Sequence, residues 1–334
     1  RDLRMSRGLG DVYKRQRLDV AADLGHSPEY NHRFWTKFRD TVKEANPHAL
    51  IVAEHYGDPS SWLQGDQWDT VMNYDAFMEP VSWFLTGMEK HSDDYRQDLL
   101  GNADSFVGAM AYHGANMAMP SWLTAMNELS NHDHSRFLTR TNRRVGRTNS
   151  LGAEAANHDV KKAVLLEAVV MQMTWPGAPT VYYGDEAGMV GWTDPDNRRS
   201  YPWGKQDWEL IEFHKDMIRI HKKYECFRSG SYKSIASGSH WICYGRFNKK
   251  LQAVILINNR RETLTVDLPI WQIGILENAC LKRVIQTTQS TYNVGEVMER
   301  AEDGILHVTV GPQTASVYIL SLIHISEPTR HAQI

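Results

Sequence analysis

Residues 49–56 read Ala49-Leu50-Ile51-Val52-Ala53-Glu54-His55-Tyr56, and the fold turns on how they are read. Five apolar residues follow one another without the polar alternation of a half-exposed strand, which predicts a short strand buried on both faces, as in a parallel sheet. The run stops at an acid, Glu54. Just upstream, residues 30–45 set Phe34, Trp35, Phe38 and Val42 on one helical face before Asn46-Pro47 ends the pattern. Before that helix, Arg17-Leu18-Asp19-Val20-Ala21 is again a short apolar strand around a carboxylate, with room between the two acids for one helix and two loops. Strand, helix and parallel strand follow as one unit.

The same rhythm extends downstream. Thr70-Val71-Met72-Asn73-Tyr74 predicts a strand, and Asp159 stands where it can cap a helix carrying Val160, Val164, Leu165, Ala168 and Met171. Trp175-Pro176-Gly177 ends that helix, and residues 179–183 predict a further strand closing at Gly184-Asp185-Glu186. A last helix, residues 207–224, aligns Leu210, Phe213, Met217 and Ile220. Beyond Phe227 the period changes to two: residues 241–247, 253–257, 263–268, 306–310 and 316–320 are short β-branched or aromatic runs between turns. They predict a small antiparallel β-sandwich over residues 227–320, with the division near residue 226.

Composition limits the alternatives. At roughly 150 residues per domain, 334 residues make about two domains. Lys and Arg total 37 against 40 acids, so no broad cationic surface exists for a polyphosphate, and nucleic acid is not an expected partner. No apolar run approaches the roughly 18 to 20 residues of a membrane span, so no membrane partner is expected either. Cys226, Cys243 and Cys280 are odd in number, widely spaced and without a CxxC pattern, which fits reduced thiols rather than a disulfide frame or a zinc site. The 11 tryptophans serve core packing first and sugar stacking second. Residues 1–16 and 321–334 carry no period leading into their neighbours; both resemble translated sequencing-adapter read-through and are set aside as an artefactual leader and tail.

Acids stand where the chemistry of a parallel barrel collects, just past strand ends. Asp19 and Glu54 are two of them, and Asn131-His132-Asp133-His134-Ser135-Arg136 supplies a third. A charge at a buried strand end costs free energy unless it is paired or functional. RLDVA, VAEHY, SNHDHSRF, GAPTVYYGDEAGM and DPDNRRSYPW, in that order, resemble glycoside hydrolase family 13, the α-amylase family, and most nearly its neopullulanase, cyclomaltodextrinase and maltogenic amylase branch. The resemblance covers residues 17 to about 320. It implies an α/β fold in which residues 17–226 are the C-terminal part of a (β/α)8 TIM barrel, followed by the β-sandwich.

By that resemblance Asp19 is the nucleophile, Glu54 the general acid/base and Asp133 the acid that stabilises the transition state. Arg17 would keep Asp19 ionised and His132 would donate to sugar hydroxyls, whereas Glu54 needs a raised pKa. The family is retaining, which implies the short carboxylate separation of about 5 to 5.5 Å. Tyr56 matches an aromatic flanking the cleaved bond, and Asp194 with Arg198 a pair contacting a glucose on the nonreducing side; an ordinary loop aromatic and a structural ion pair are the plainer alternatives. Asp23 matches an acid bearing on acceptor choice, or is a solvated loop acid. His26, His32 and His55 read as loop histidines without metal spacing, and Asp185 and Glu186 as rim residues outside the chemistry.

The expected activity is retaining hydrolysis of α-1,4 links in maltodextrins, cyclodextrins or pullulan. An α-glucosidase, a transglycosylase or a noncatalytic carbohydrate-binding relative are the alternatives. The match begins inside what the family has as its fourth strand, and Gln16 replaces an aromatic that usually precedes Arg-Leu-Asp. The chain alone is therefore expected to hydrolyse little or nothing. No organic cofactor is implied; calcium is left open for a full-length protein, a homodimer would need the branch's N-terminal domain, and the branch's habit is cytoplasmic.

Overall fold

The computed structural model describes residues 15–320, which form two compact units, residues 15–161 with 176–208 and residues 162–175 with 209–320. In the first unit β1 (Arg15–Leu18), β2 (Leu50–Ala53) and β3 (Thr70–Val71) are parallel neighbours, with Arg17 beside Val52 and Ala53 beside Val71. A parallel bridge from Met72 to Met126 passes the arc on to β4 (Met126–Glu128), which pairs in parallel with β5 (Ala178–Thr180). The structure thus contains five successive parallel strands, the C-terminal part of a (β/α)8 barrel. Arg15 and Gln16, set aside above with the leader, pair with Leu50 and Ile51 in β1; the rest of the leader and the tail at 321–334 lie outside the described residues.

Why β2 is so uniformly apolar is visible in its surroundings: Ile51 and Ala53 have no exposed surface and pack with Leu18, Ala21, Trp35, Leu63, Trp68 and Val71. The connecting helix Pro28–Ala45 starts where Ser27 accepts the Tyr30 N–H at 3.2 Å and Pro28 presets the first turn. Its buried residues are Asn31 and Trp35, while Phe34 is exposed and Phe38 and Val42 are half-buried. Asn31 substitutes for an apolar contact by chemistry. Its Nδ2 donates to the carbonyls of Ala21, Ala22 and Leu24 at 2.9 to 3.0 Å, and Trp35 Nε1 donates to Ala21 at 2.8 Å, so the helix holds the loop that follows Asp19.

Three predicted elements differ in extent. Thr70 and Val71 are strand, but Tyr74 opens a π-helical turn, Tyr74–Met78, closed by the Met78 N–H donating to the Asn73 carbonyl at 3.0 Å, while Asn73 Nδ2 donates to Asn127 Oδ1 at 2.7 Å. The last predicted barrel strand ends at Thr180, and the carbonyl of Tyr183 goes instead to Arg136 Nη1 at 2.8 Å. Asp159 does not cap a helix: its φ is +59°, its carboxylate pairs with Arg144 at 2.6 Å, and the helix is Lys162–Thr174. Gly177, at φ +135°, has no room for a Cβ beside the Asn127 amide, which links Asn73 to the Pro176 carbonyl.

The second unit is an eight-stranded antiparallel sheet in the order β6-β7-β8-β13-β10-β11-β12-β9, from β6 (Ser231–Gly238), β7 (Trp241–Phe247), β8 (Gln252–Asn258) and β9 (Leu264–Pro269) to β10 (Ala279–Thr287), β11 (Tyr292–Glu302), β12 (Ile305–Val310) and β13 (Thr314–Leu320). It folds over a single core in which Val254, Leu256, Leu268, Leu281, Leu306 and Tyr318 meet, the β-sandwich expected. The unit also takes in the helix Lys162–Thr174 and most of Trp208–Lys223, so the division does not fall at residue 226. The reason is specific bonding: Thr174 Oγ1 meets the Tyr244 hydroxyl at 2.7 Å, Arg246 Nη1 donates to the Thr174 carbonyl at 2.6 Å, and His221 Nδ1 meets the Met173 carbonyl at 2.8 Å.

Candidate active site

Residues just past the ends of three neighbouring strands, Asp19, Glu54 and Met72, meet at Arg17. Its guanidinium hydrogen-bonds Asp19 through Nη1 and pairs with Glu54 Oε1 through Nη2 at 3.0 Å, while Nε points to Met72 Sδ at 3.4 Å. The two acids therefore share one cation. Their surroundings are opposite: the Asp19 side chain is 76% exposed, that of Glu54 only 8%. Glu54 Oε2 also accepts the Val20 N–H at 3.0 Å, which ties the end of β2 to the loop after Asp19. The hydrogen bond from Arg17 and then its charge hold the Asp19 carboxyl below the usual range, with smaller contributions from Glu54 and His132.

Asp133 comes from the loop after β4. Asn131 Oδ1 accepts the N–H groups of both Asp133 and His134 at 3.0 Å, a turn built on one side-chain amide. His132 Nε2 stands 3.4 Å from Asp133 Oδ2. Asp194 and Arg198 face the same loop: Arg198 Nε pairs with Asp194 at 2.7 Å and donates to the His132 carbonyl at 3.0 Å, and Nη2 lies 3.7 Å from Asp133 Oδ1. Both are part-exposed, so the pair is structural and accessible at once. Beneath them buried Asn197 donates to the carbonyls of Asn131 and His134, at 3.1 and 2.7 Å.

Tyr56, 45% exposed, has Tyr74 stacked on it at 4.4 Å and Lys90 Nζ 5.2 Å from its centroid, and its hydroxyl meets His134 Nε2 at 3.1 Å. One ring face is thus occupied by protein. Burial pushes the Tyr56 hydroxyl up to about 12 and the His134 imidazole down to about 2, so both are neutral. Asp23 is exposed on the loop after Asp19. His32 meets Gln67 Oε1 at 2.9 Å, His55 the Asp58 carbonyl at 3.2 Å, and His26 packs on Tyr30. Asp185 is buried against Arg136 at 2.8 Å and Glu186 accepts the Gly184 N–H. Among the described residues, Glu89, His91 and Asp93 bring ligand-type atoms within 4.8 Å of one another; Asp93 is engaged by Arg147 and Glu89 by His91.

Two participants were missed from sequence. Tyr74 falls at the end of the run that predicts a strand, yet it closes the site behind Tyr56. Glu128, the last residue of β4, is 3% exposed and accepts from Asn131 Nδ2 at 3.2 Å; its only sequence signal is an acid five residues before Asp133 in a strand too polar to stand out.

Residues 12–251 match the family described as alpha amylase, catalytic domain. The chain is 36% identical over 262 residues to Neopullulanase 2 of Thermoactinomyces vulgaris, covering 77% of this chain and 39% of that protein. It is 33% identical over 274 residues to a cyclomaltodextrinase of Thermoanaerobacter pseudethanolicus, covering 80% and 41%. The chain thus spans about two-fifths of the length of these relatives. The native form of the Nostoc punctiforme debranching enzyme superposes with a TM-score of 0.71 at 26% identity, over 91% of this chain and 58% of that one. With the family's strand order, its motifs and its catalytic-domain match in place, the chain belongs to the α-amylase family, glycoside hydrolase family 13, in the branch of the neopullulanases, cyclomaltodextrinases and maltogenic amylases.

Proposed function

We propose that this chain carries the catalytic acids of a retaining α-glucan hydrolase acting on α-1,4 links of maltodextrin-like substrates. The observation that carries the reading is the single Arg17 guanidinium engaging Asp19 and Glu54 at once, which keeps the two carboxyls near one another and so favours the short separation of a retaining enzyme over the wide gap that seats a water. Asp19, ionised and open to solvent, attacks the anomeric carbon while Glu54 gives its proton to the departing glycosidic oxygen. Water then enters, Glu54 takes a proton from it, and the ester to Asp19 breaks with the sugar released in its original anomeric form. Asp133, His132 and Arg198 line the loop that would hold sugar hydroxyls as positive charge develops on the ring.

Exposure of the nucleophile limits the chain as it stands. An attacking carboxylate in bulk water keeps its hydration and receives no preorganised surroundings, so turnover by this chain is expected to be slow at most. Proton NMR of maltohexaose incubated with the chain tests both statements. The expected result is slow release of product as the α-anomer, lost in Asp19→Asn; a β-anomeric product, or a rate unchanged in Asp19→Asn, would overturn the assignment. Rapid release of maltose would overturn the expectation of slow turnover.

A further inference from the structure

Glu128 is a carboxyl that the chemistry above does not use, turned inward at the end of β4. One side-chain amide connects it to the candidate site. Asn131 Nδ2 donates both to Glu128 Oε1 and to the Tyr74 hydroxyl, each at 3.2 Å, while Oδ1 of the same amide accepts the N–H groups of Asp133 and His134. Every hydrogen-bonding function of the amide is therefore committed, and a change at Glu128 has no slack to absorb it before it reaches the main chain of Asp133. The charged groups acting on Glu128 come from three other segments: Arg17 on β1, Glu54 after β2 and Asp185 after β5. Glu128 in turn acts on both Tyr56 and Tyr74. Burial, followed by the charges of Glu54 and Asp185, pushes its carboxyl up to about 8 against the Asn131 bond and the Arg17 charge.

We propose that Glu128 is a positioning residue of this site: its carboxyl, held by Asn131, fixes the turn of residues 131–134 and with it the place of Asp133 relative to Asp19 and Glu54. The proposal rests on the glucan-hydrolase reading for its purpose, but the coupling itself is a property of the folded chain. When Glu128 ionises, a third negative charge joins those of Glu54 and Asp185 and the Asn131 N–H bond to it tightens, so the amide shifts and the turn it carries shifts with it.

The test is an NMR titration of the whole chain from roughly pH 5 to pH 10, following the Glu128 carboxyl and the amides of Asp133 and His134. The amides are expected to move with the Glu128 midpoint, near 8. In Glu128→Gln, which keeps the size and an acceptor for Asn131, they should stay at their neutral-form positions throughout. In Glu128→Leu, which removes the acceptor, they should be displaced at every pH. Maltohexaose binding gives the second measurement: within about twofold of the parent for Glu128→Gln at neutral pH, and roughly tenfold weaker for Glu128→Leu, the scale of one unmade buried hydrogen bond. A purely space-filling role would leave the amides indifferent to the Glu128 titration, and that result overturns the proposal. So does a Glu128→Gln chain that titrates at these amides as the parent does. Should Glu128→Leu not fold, the Gln variant and the amide titration decide alone. Amides that follow Glu128 in a chain that binds no glucan overturn the glucan reading and leave the coupling standing.

Discussion

Arg17 lies where two strand ends need a cation, and the consequences can be separated one residue at a time. Arg17→Gln removes the charge that depresses Asp19, so the Asp19 carboxyl should return to the ordinary aspartate range in a carbon NMR titration. A titration unchanged from the parent would show that the loop, not the guanidinium, sets it. His134 provides the pH experiment. Burial, then the charges of His91, Arg140 and Lys90, hold it down to about 2, whereas an unfolded histidine protonates near 6.5. Because the folded state refuses the proton, the stability His134 contributes is complete above about 6.5 and is lost as pH falls below it, by up to about 1.4 kcal/mol per pH unit. Urea unfolding at about pH 7 and about pH 5 should show the loss, and His134→Gln should reduce it. Equal slopes in both proteins would contradict the assignment. At this scale Asp19 and Glu54 were legible because each interrupts or follows an apolar run at a strand end, and Asp133 because of the polar cluster Asn131-His132-Asp133-His134-Ser135-Arg136 around it. Glu128 was not, since Met126-Asn127-Glu128 has neither an apolar run nor an alternation, and it is buried in a strand that lies between the Met72 bridge and β5.

Among the elements, legibility followed periodicity. The runs that became β2, β7, β8, β9, β12 and β13 each expose or bury residues in a pattern set by the core they face. β6, β10 and β11 were overlooked for a physical reason: β6 is rich in serine, β10 mixes Lys and Arg among its apolar residues, and β11 leaves nearly all its residues in solvent, so sheet hydrogen bonding rather than side-chain burial defines them. The helix Lys162–Thr174 reads by sequence through Val164, Leu165, Ala168 and Met171 alone, yet all of it but Lys162 is buried. Glu167 has no exposed surface, and among the described residues neither of its oxygens has a hydrogen-bond partner. Burial pushes its carboxyl well above the usual range, so its contribution is least harmful below the ordinary glutamate value and stability is lost as pH rises above it. Glu167→Leu should therefore raise stability in urea by on the order of 2 kcal/mol near neutral pH. The gain should shrink toward pH 4, where unfolded glutamate is itself largely protonated. A gain of the same size at both pH values would trace it to packing instead.

For the whole chain, the two units differ in how completely their backbones are satisfied. In the second, β8 lies between β7 and β13 and β13 between β8 and β10, so the middle of the sheet has hydrogen-bonded neighbours on both sides, over a core in which Val254, Leu256 and Leu281 have no exposed surface. In the first, β1 has one partner strand among the described residues, and the three-stranded group reaches β4 by the single bridge at Met72. A strand paired on one side opens without disturbing a second ladder, so its amides exchange through local rather than global unfolding. Native-state hydrogen exchange should accordingly rank the amides of Ile255 and Val317, which sit opposite each other in β8 and β13, as the slowest, with those of Arg17 and Leu18 faster by about two orders of magnitude or more, the ratio expected when local opening costs about 3 kcal/mol less than global unfolding. Unfolding followed by tryptophan fluorescence should then occur in two steps, because Trp35 and Trp68 are buried with β1 and β2 while Trp241 is buried in the second unit's core. One coincident transition, with β1 amides as protected as those of β8, would mean that the two units fold as a single cooperative body and that the open strand costs the chain nothing.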